Sequence, residues 1–363
     1  MASRWFASAT RKPRGAGMRI AQVSPLFESV PPTLYGGTER VVSYLTEELV
    51  RLGHEVTLFA AGDSQTTATL VAGCPIALWR DPDVRETLPQ HVRLVELVFQ
   101  QASLFDVIHF HLDYLHFPLA RRHRCPTVTT LHGSLRPHDV KALFDEYRDV
   151  PLVSISDNQR LPVPSAAWEA TVYHGLPQTL FRPTERAGGY LAFLGRMSPE
   201  KGVNRAIEIA RRTNLPLVIA GKIYPEERAY FDAVISPLVH ASPDSVHVLG
   251  ELGGTEKEKF LGNARALLFP IDWEEPFGLV MIEALACATP VIAWRRGSVP
   301  EVIDDGVTGF IVDSVDAAVQ AVGRLDEIDR LGCRQVFETR FDAKRMAGDY
   351  VKVYERVVGR ATA

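Results

Sequence analysis

Short apolar runs alternate with stretches of helical periodicity along most of this chain. In the first half the apolar runs cover residues 19–24, 56–61, 106–111, 127–132 and 152–156. In the second half they cover residues 191–195, 215–221, 246–250, 266–270, 290–293 and 309–312. Continuous apolar strands separated by helices are typical of parallel sheets that are covered on both faces. The pattern therefore predicts an α/β protein built from doubly wound, Rossmann-like sheets.

The alternation weakens between residues 174 and 190, a connector that contains proline and glycine and has no clear period. A chain of 363 residues is long enough for two domains. We therefore predict one domain over 18–180 and a second over 181–340, followed by a C-terminal segment over 341–363. Ligands of doubly wound sheets bind at the carboxyl ends of the strands, so the cleft between the domains is the expected site.

The first 17 residues differ from the rest of the chain. They are rich in arginine, serine and alanine, contain no acidic residue and lack the apolar segment of a secretory signal. A transit-like peptide and a disordered extension both fit this composition, and we favour the extension. The first buried strand is then expected to follow Met18.

Charge and composition exclude several classes of protein. The net charge of −4 and the pI near 6.3 argue against a nucleic-acid-binding protein, which would be basic. The four cysteines lack disulfide or zinc spacing, which indicates reduced thiols in a cytoplasmic protein. No apolar run approaches the ~18–20 residues of a membrane span. The basic run 121–124 is either a weak peripheral contact with an anionic membrane or, as we favour, a solvated face.

The loop after the first predicted strand ends in Gly36 and Gly37, directly before a helix. Paired glycines at a helix N-terminus allow backbone N–H groups to approach an anion closely. The spacing differs from the G-x-G-x-x-G of dinucleotide-binding proteins, and a simple turn with a helix cap explains the loop equally well.

Two cations follow the first apolar run of the second half. Arg196 and Lys201 lie just beyond that strand and before a helix. Arginine binds phosphate oxygens in a bidentate manner and lysine acts as a point charge, so together they suit a diphosphate. The alternative is a surface salt bridge between Lys201 and a neighbouring acid such as Glu200.

The segment 272–293 predicts a buried helix, because it is apolar on all sides and Glu283 is its one internal carboxylate. Pro276 fits the first helical position, which places Glu275 at the N-cap and directs the amides of residues 277–279 out of the helix start. Glu283 would then lie roughly 12 Å further along the helix. For each carboxylate alone we favour a structural role, a helix cap for Glu275 and a buried bond to a backbone amide or lysine for Glu283.

Three histidines, His109, His111 and His132, follow the ends of two apolar runs in the first half. A histidine at the carboxyl end of a strand is able to bind a substrate oxygen, although several of these could equally be satisfied core residues. No Asp or Glu stands beside them at ligand spacing, so we predict no metal site.

Together these motifs resemble those of glycosyltransferase family 4, the retaining transferases of GT-B fold that use nucleotide-diphospho-sugars. The matching stretches run from Met18 to the C-terminus and read YGGTERVVSYLTEELVRLGHEVTLFA, DVIHFH, TVTTLHG, FLGRMSPEKG, EEPFGLVMIEALACATPVIA and GSVPEVIDDGVTGFIV. The spacing from Glu275 to Glu283 is the E-x7-E motif of that family. The amino-acid sequences of these motifs are most similar to those of a bacterial branch of the family that includes an avilamycin-pathway glycosyltransferase.

The resemblance implies a role for each matched residue. Glu283 would accept the ribose hydroxyls of the nucleotide, and its buried charge would be satisfied mainly by that donor. Glu275 would hold the donor sugar, and His132 would lie near the reacting centre. Arg196 and Lys201 would neutralise the diphosphate, so no cofactor or Mg²⁺ is expected. The remaining donor-binding positions implied are Gly36, Gly37, Gly250, Phe277, Gly278 and Leu279.

The resemblance also implies a mechanism and a limited choice of function. We expect transfer of a hexose-type sugar to a hydroxyl acceptor with front-face retention, and a C-terminal helix that crosses back onto the first domain. A sugar-nucleotide epimerase of the same fold and a non-catalytic sugar-nucleotide-binding protein remain alternatives. Two positions depart from the family pattern: Ala288 replaces the usual glycine, and the loop KIYPEE after residue 221 replaces a glycine-containing turn. Neither the donor base nor the acceptor is predicted.

Overall fold

The computed structural model describes residues 17–34, 36–186 and 188–362, and these form two sheets in which every strand pairing is parallel. The first sheet contains β1 (Arg19–Val23), β2 (Glu55–Ala61), β3 (Thr69–Cys74), β4 (Val107–Phe110), β5 (Thr127–Thr130), β6 (Leu152–Ser154) and β7 (Trp168–Thr171). The second contains β8 (Tyr190–Leu194), β9 (Leu217–Ala220), β10 (Val246–Val248), β11 (Ala264–Phe269), β12 (Val291–Trp294) and β13 (Gly309–Val312). The predicted α/β fold with two Rossmann-like sheets is confirmed. The extension predicted over residues 1–17 lies outside the described residues except for Gly17.

The strand orders fix where each sheet can bind a ligand. The first sheet runs β3-β2-β1-β4-β5-β6-β7 and the second runs β10-β9-β8-β11-β12-β13. The order therefore reverses between β1 and β4 in one sheet and between β8 and β11 in the other. At such a switch point the connections leave to opposite sides, which opens a crevice at the carboxyl ends of the strands.

The sequence pattern missed two strands, β3 and β7, and both lie at an edge of the first sheet. No residue of β7 is fully buried, and in β3 only the last residue is. An edge strand is half exposed, so it lacks the continuous apolar run that revealed the central strands.

Helices cover both sheets. Those that follow strands of the first sheet are α1 (Gly37–Arg51), α2 (Leu88–Gln100), α3 (Phe117–Ala120) and α4 (His138–Glu146). Those of the second sheet are α5 (Val203–Thr213), α6 (Arg228–Tyr230), α7 (Ser236–His240), α8 (Gly254–Gly262), α9 (Leu279–Ala286), α10 (Val299–Val302), α11 (Val315–Gly323) and α12 (Arg330–Arg340). A π-helical turn, Phe231–Ile235, joins α6 to α7. No helix in the described ranges is both long and apolar enough to cross a membrane.

The last helix, α13 (Ala343–Thr362), packs on the first sheet although it follows the second in sequence. Its buried face includes Tyr350 and Tyr354, which join Ile20 of β1 and Leu45 of α1 in one apolar cluster. The chain therefore crosses between the sheets twice, once after β7 and once before α13.

The two crossings are hydrogen-bonded to each other. The N–H of Leu176 donates to the carbonyl of Phe341 at 2.8 Å, and the N–H of Ala343 donates to the carbonyl of Leu176 at 2.9 Å. Leu176 lies within the connector that the sequence marked at 174–190. The connector is thus one of two hydrogen-bonded segments that cross between the sheets.

Arg121, in the basic run 121–124, is held by acidic neighbours. Its guanidinium forms ion pairs with Glu146 at 2.7 Å and Asp149 at 2.6 Å, and it lies 4.3 Å from the ring centroid of Tyr147. The first arginine of this run is therefore neutralised within the protein.

Candidate active site

A cavity of about 530 Å³ lies between the carboxyl ends of the two sheets. Its wall is formed by loops that follow β1, β4 and β5 on one side and β8, β9 and β11 on the other. Of the residues singled out from the sequence, those that line it are Gly36, Gly37, His132, Arg196, Lys201, Glu275, Phe277, Gly278, Leu279 and Glu283. These residues come from four separate stretches of sequence, and they converge where the two switch points face each other.

Gly250 lies behind this wall. Its carbonyl accepts the N–H of Gly221 at 2.8 Å, and it is Gly221 that lines the cavity. Gly221 has φ of +153°, and a Cβ there would lie 1.7 Å from the carbonyl oxygen of Gly195. The carbonyl of Gly250 therefore helps to hold Gly221 against Gly195, where the backbones at the ends of β8 and β9 come close together.

Lys201 forms an ion pair with Glu275, not with Glu200. Its Nζ lies 2.5 Å from Oε2 of Glu275, and the same oxygen accepts the indole N–H of Trp273 at 3.1 Å. The ammonium also lies 4.8 Å from the ring centroid of Trp273. Lys201 has three N–H donors and this pair occupies one, so the others remain for a ligand.

Arg196 is held between two carboxylates. Its guanidinium donates to Glu227 at 3.1 Å and to Glu200 at 3.0 Å, and Glu200 also accepts the hydroxyl of Ser198. Glu227 belongs to the KIYPEE loop and is buried. Sequence reasoning marked that loop as a departure but did not identify Glu227 as the partner of Arg196.

Glu283 is buried on α9 and is paired within the protein. Its Oε1 accepts from Nζ of Lys257, on α8, at 2.8 Å, and both side chains are largely excluded from water. The expectation that this charge is satisfied mainly by a donor is therefore wrong. Lys257 also lines the cavity, so the carboxylate and its counter-ion face the same space.

The start of α9 corrects the sequence prediction. The helix begins at Leu279 with Gly278 at the N-cap (φ +78°), so Pro276 is not its first residue. The preceding segment is held by residues from later in the chain: Ser298 donates its N–H to the carbonyl of Glu275 and its hydroxyl to that of Phe277. These tertiary bonds outweigh the local preference of proline for a first helical turn.

Two helix N-termini lie close together at the cavity. The helix α1 begins at Gly37 and α9 begins at Leu279, and a Cβ on Gly37 would lie 3.5 Å from Cδ1 of Leu279. The first amides of a helix have no partner within the helix and carry partial positive charge. This side of the cavity therefore favours an anion, as the paired glycines predict.

His132 contacts both halves of the site. Its Nε2 lies 2.8 Å from Nδ1 of His111, and its ring stacks on His174 of the connector at 5.3 Å between centroids. His174 in turn contacts the ring of Phe277 at 4.8 Å. Burial lowers the pKa of His132 to about 3 and, with a smaller contribution from the charge of Arg345, holds that of His174 well below its usual value. Both rings are accordingly neutral at physiological pH.

Glu39, in the first turn of α1, is a further carboxylate in this wall that the sequence did not single out. It is buried, and loss of hydration raises its pKa from 4.5 to about 7, with a smaller contribution from the charge of Glu28. Within the described residues, no group of three or more His, Cys, Asp or Glu side chains is arranged to hold a metal ion.

Known glycosyltransferases match this chain in sequence and in fold. The model "Glycosyltransferase Family 4" matches residues 35–162, and the model "Glycosyl transferases group 1" matches residues 183–329. An uncharacterized glycosyltransferase of Methanocaldococcus jannaschii is 26% identical, covering 93% of this chain and 98% of the relative. A glycogen synthase of Mycobacterium tuberculosis is also 26% identical, covering 93% and 94%.

The fold has counterparts among solved structures. AviGT4, a glycosyltransferase involved in avilamycin A biosynthesis, superimposes with a TM-score of 0.72 at 24% identity, covering 94% of this chain and 98% of that one. This likeness extends over both sheets. The resemblance drawn from the motifs is thereby confirmed.

Proposed function

Because the chain belongs to the glycosyltransferases of GT-B fold, we propose that it is a retaining transferase for a hexose-type sugar. The donor is a nucleotide-diphospho-sugar, and the acceptor carries a hydroxyl group on a glycan, a lipid-linked sugar or a small molecule. The observation that carries this proposal is the convergence of Arg196, Lys201 and two helix N-termini on one cavity that also contains Glu275 and Glu283.

Positive groups in the cavity are suited to the diphosphate of the donor. Cleavage of the anomeric C–O bond places negative charge on the leaving diphosphate, and fixed cations and helix amides stabilise it without reorganising. The carboxylates paired with Arg196 and Lys201 hold these cations in place while leaving some of their N–H donors unused. We therefore propose that the reaction requires no divalent metal.

The two carboxylates of the E-x7-E motif are assigned to different parts of the donor. Glu283, at the base of α9 and against Lys257, would bind the ribose hydroxyls. Glu275, in the loop before α9, would bind hydroxyls of the sugar. This division places the sugar on the side of the cavity where His132 and Phe277 lie.

A front-face reaction fits the position of Glu275 better than a double displacement does. Its Oε2 is engaged by Lys201 and Trp273, so this oxygen is held by two donors. A carboxylate that is paired with an ammonium is a weaker nucleophile than a free one, which favours direct attack by the acceptor over a covalent intermediate on Glu275. The acceptor hydroxyl would instead attack from the face that the leaving phosphate vacates, with the phosphate oxygen receiving its proton.

A panel of nucleotide sugars tests the proposal. Purified protein is screened by thermal shift with UDP-, ADP- and GDP-linked hexoses, and the hits are incubated without acceptor while release of nucleoside diphosphate is followed. We expect slow hydrolysis with retention at the anomeric carbon, unaffected by EDTA. Interconversion of the donor sugar without release of nucleotide would indicate an epimerase, and binding without any turnover would indicate a non-catalytic protein.

A further inference from the structure

A continuous chain of buried hydrogen bonds joins His132 in the cleft to the C-terminal helix. Nε2 of His132 lies 2.8 Å from Nδ1 of His111, and Nε2 of His111 lies 2.9 Å from Oε1 of Gln22. Nε2 of Gln22 in turn lies 2.9 Å from the hydroxyl oxygen of Tyr354 on α13. Gln22 and Tyr354 are fully buried, so these contacts are not shared with water.

The chain continues beyond Tyr354 and away from the cleft. The hydroxyl of Tyr354 lies 2.8 Å from Nδ1 of His109, and Nε2 of His109 lies 2.7 Å from Oγ1 of Thr130. Thr130 then bonds the hydroxyl of Tyr350 at 2.9 Å. Tyr350 and Tyr354, one turn apart on α13, thus occupy different places in the series of hydrogen bonds. Tyr354 lies between the histidines, and Tyr350 lies at the far end.

Each histidine in the chain is neutral and carries a single N–H. Burial lowers the pKa of His109 and His111 well below the usual value and that of His132 to about 3. A neutral imidazole donates through one nitrogen and accepts through the other, so the partner of one nitrogen decides the role of the other.

We propose that Tyr354 is a positioning residue that fixes the tautomer of His132 through this chain. The Gln22 carbonyl oxygen accepts the Nε2–H of His111, which leaves Nδ1 of His111 as an acceptor. That acceptor takes the Nε2–H of His132, so the lone pair of His132 lies on Nδ1. On the other side, the Gln22 amide donates to Tyr354, which donates to Nδ1 of His109.

The orientation of the Gln22 amide sets the direction of the hydrogen bonds between Tyr354 and His132. A turn of the Gln22 amide by half a rotation would place N–H against His111 and reverse the N–H of both His111 and His132. Tyr354 couples that turn to two further changes, because its hydroxyl would also have to reverse and His109 would have to move its proton. Removing this hydroxyl uncouples Gln22 from His109, and the two tautomers of His132 then become close in energy.

This inference rests on the proposed function for its catalytic meaning, since it concerns the histidine placed near the reacting centre. With N–H on Nε2, His132 presents an acceptor on Nδ1 and binds a substrate hydroxyl through the hydroxyl's own proton. The reversed tautomer would offer a donor there and bind the same hydroxyl only through its oxygen. The C-terminal helix is therefore part of the support of the active site and not only a brace between the domains.

The tautomer can be measured without any substrate. Full-length protein labelled with ¹⁵N-histidine is examined by long-range ¹H–¹⁵N correlation NMR near pH 7, with His132→Gln used to assign the His132 signals. We expect a pyrrole-type Nε2 and a pyridine-type Nδ1 for His132. A pyrrole-type Nδ1 in the wild-type protein overturns the proposal, whatever the protein is later found to transfer.

Two matched variants then separate positioning from packing. Tyr354→Phe and Tyr350→Phe each remove one buried hydroxyl from the same face of α13, but only the first lies between His109 and Gln22. We expect Tyr354→Phe to average the ¹⁵N shifts of His132, and Tyr350→Phe to leave them unchanged. Equal changes in both variants, or none in Tyr354→Phe, overturn the proposal.

Turnover provides a second readout. Release of nucleoside diphosphate from the nucleotide sugar with the largest thermal shift is compared for the two variants. Tyr354→Phe should lower kcat by about twofold with little change in KM, because two tautomers of similar energy leave about half of His132 in the productive form. If Tyr354→Phe lowers turnover but leaves the ¹⁵N shifts of His132 unchanged, Tyr354 does not act through His132. If the ¹⁵N shifts behave as expected but the wild-type protein has no turnover, the positioning role stands and only the proposed function is contradicted.

Discussion

The ammonium of Lys201 lies 2.5 Å from the carboxylate of Glu275, a residue 74 positions later in the chain. The pair joins the loop after β8 to the loop after β11, at the switch point of the second sheet. Both side chains are mostly buried, at 15% and 12% exposure. An ion pair in such a place is expensive to break, because the remaining charge loses its partner without regaining full hydration. Lys201 and Glu275 therefore affect both the stability of the loops and the chemistry in the cavity.

Replacing either cation should reduce turnover strongly. We expect Lys201→Ala and Arg196→Ala each to lower kcat by ~10²–10³-fold, since one charge-assisted contact to a leaving group contributes roughly 2–4 kcal/mol in a closed site. The measurement is release of nucleoside diphosphate at saturating donor, together with the melting temperature of each variant. Arg205→Ala is the matched control, because Arg205 bonds Asp272 and the carbonyl of Pro270 next to the site. Comparable losses in all three variants would show that the effect is structural, and activity abolished by EDTA would contradict the metal-independent reaction.

Ala288 should carry measurable backbone strain. It adopts φ of +62°, in the left-handed region, where a residue with a Cβ is strained. We compare Ala288→Gly with Ala284→Gly in α9, since both alanines are fully buried and lose the same methyl group. Only Ala288→Gly relieves strain, so it should be more stable than Ala284→Gly by about 1–2 kcal/mol in urea unfolding. Equal destabilisation of the two variants would mean that the turn after α9 is unstrained.

The pKa of Glu39 should appear in the pH dependence of stability. Burial raises this pKa from 4.5 to about 7, so the folded protein binds a proton that the unfolded chain releases between these values. Stability is therefore lost as pH rises through this window, by at most about 3 kcal/mol. The buried histidines act in the opposite direction, because their lowered pKa values make folding less favourable below about pH 6.5.

Comparing the stability of Glu39→Gln with that of the wild type separates the effect of this carboxyl group from that of the histidines, which both proteins share. We measure the urea midpoints of Glu39→Gln and of the wild type at each pH. The midpoint of Glu39→Gln should rise relative to that of the wild type from pH 5 to pH 8, because only the wild type must ionise a buried carboxyl group. Glu55→Gln, which removes an exposed carboxyl group, serves as control for the substitution itself. A constant difference for Glu39→Gln would show that this carboxyl is ionised throughout the range.

The central strands and the residues around the cavity were predictable because their signals are local. A continuous apolar run marks β11 or β12, and paired glycines mark the start of α1. The remainder depends on contacts distant in sequence. Ser298 delays the start of α9 from 22 residues beyond Pro276, and Lys257 neutralises Glu283 from another helix. No periodicity or spacing rule contains such pairings, so local patterns identified the residues of the site but not their partners.

Binding of nucleoside diphosphate should bring the two sheets closer together. The paired crossing at Leu176 and Ala343 allows rotation, and Glu301 of α10 links the domains by accepting the N–H groups of Asp157 and Asn158. Small-angle scattering of the wild type should show a smaller radius of gyration with ligand present. Arg196→Ala, which is expected to bind the diphosphate weakly, should show little change at the same ligand concentration. An unchanged radius in the wild type at saturation would contradict closure.

The last prediction separates Glu283 from Glu275. If Glu283 binds ribose, Glu283→Gln should weaken binding of nucleoside diphosphate by about 1–3 kcal/mol, because hydrogen bonds to a charged group are of that size. If Glu275 binds the sugar, Glu275→Gln should not weaken that affinity, because it leaves the Lys201 ammonium without its partner beside the diphosphate. It should lower kcat, since the sugar becomes cationic in the transition state. Calorimetry with UDP, ADP and GDP measures both without knowledge of the acceptor.

Lys257 makes this comparison sharper. Glu283→Gln also deprives Lys257 of its partner, and an unpaired ammonium beside a diphosphate would strengthen binding and mask the lost ribose contact. The double variant Glu283→Gln/Lys257→Met removes that charge. The difference in nucleoside diphosphate affinity between this double variant and Lys257→Met alone therefore measures the ribose contact. An affinity for nucleoside diphosphate that is equal in the double variant and in Lys257→Met would mean that Glu283 serves only to neutralise Lys257. Equal losses in Glu283→Gln and Glu275→Gln would instead contradict the division between ribose and sugar, because both carboxylates would then contact the nucleotide.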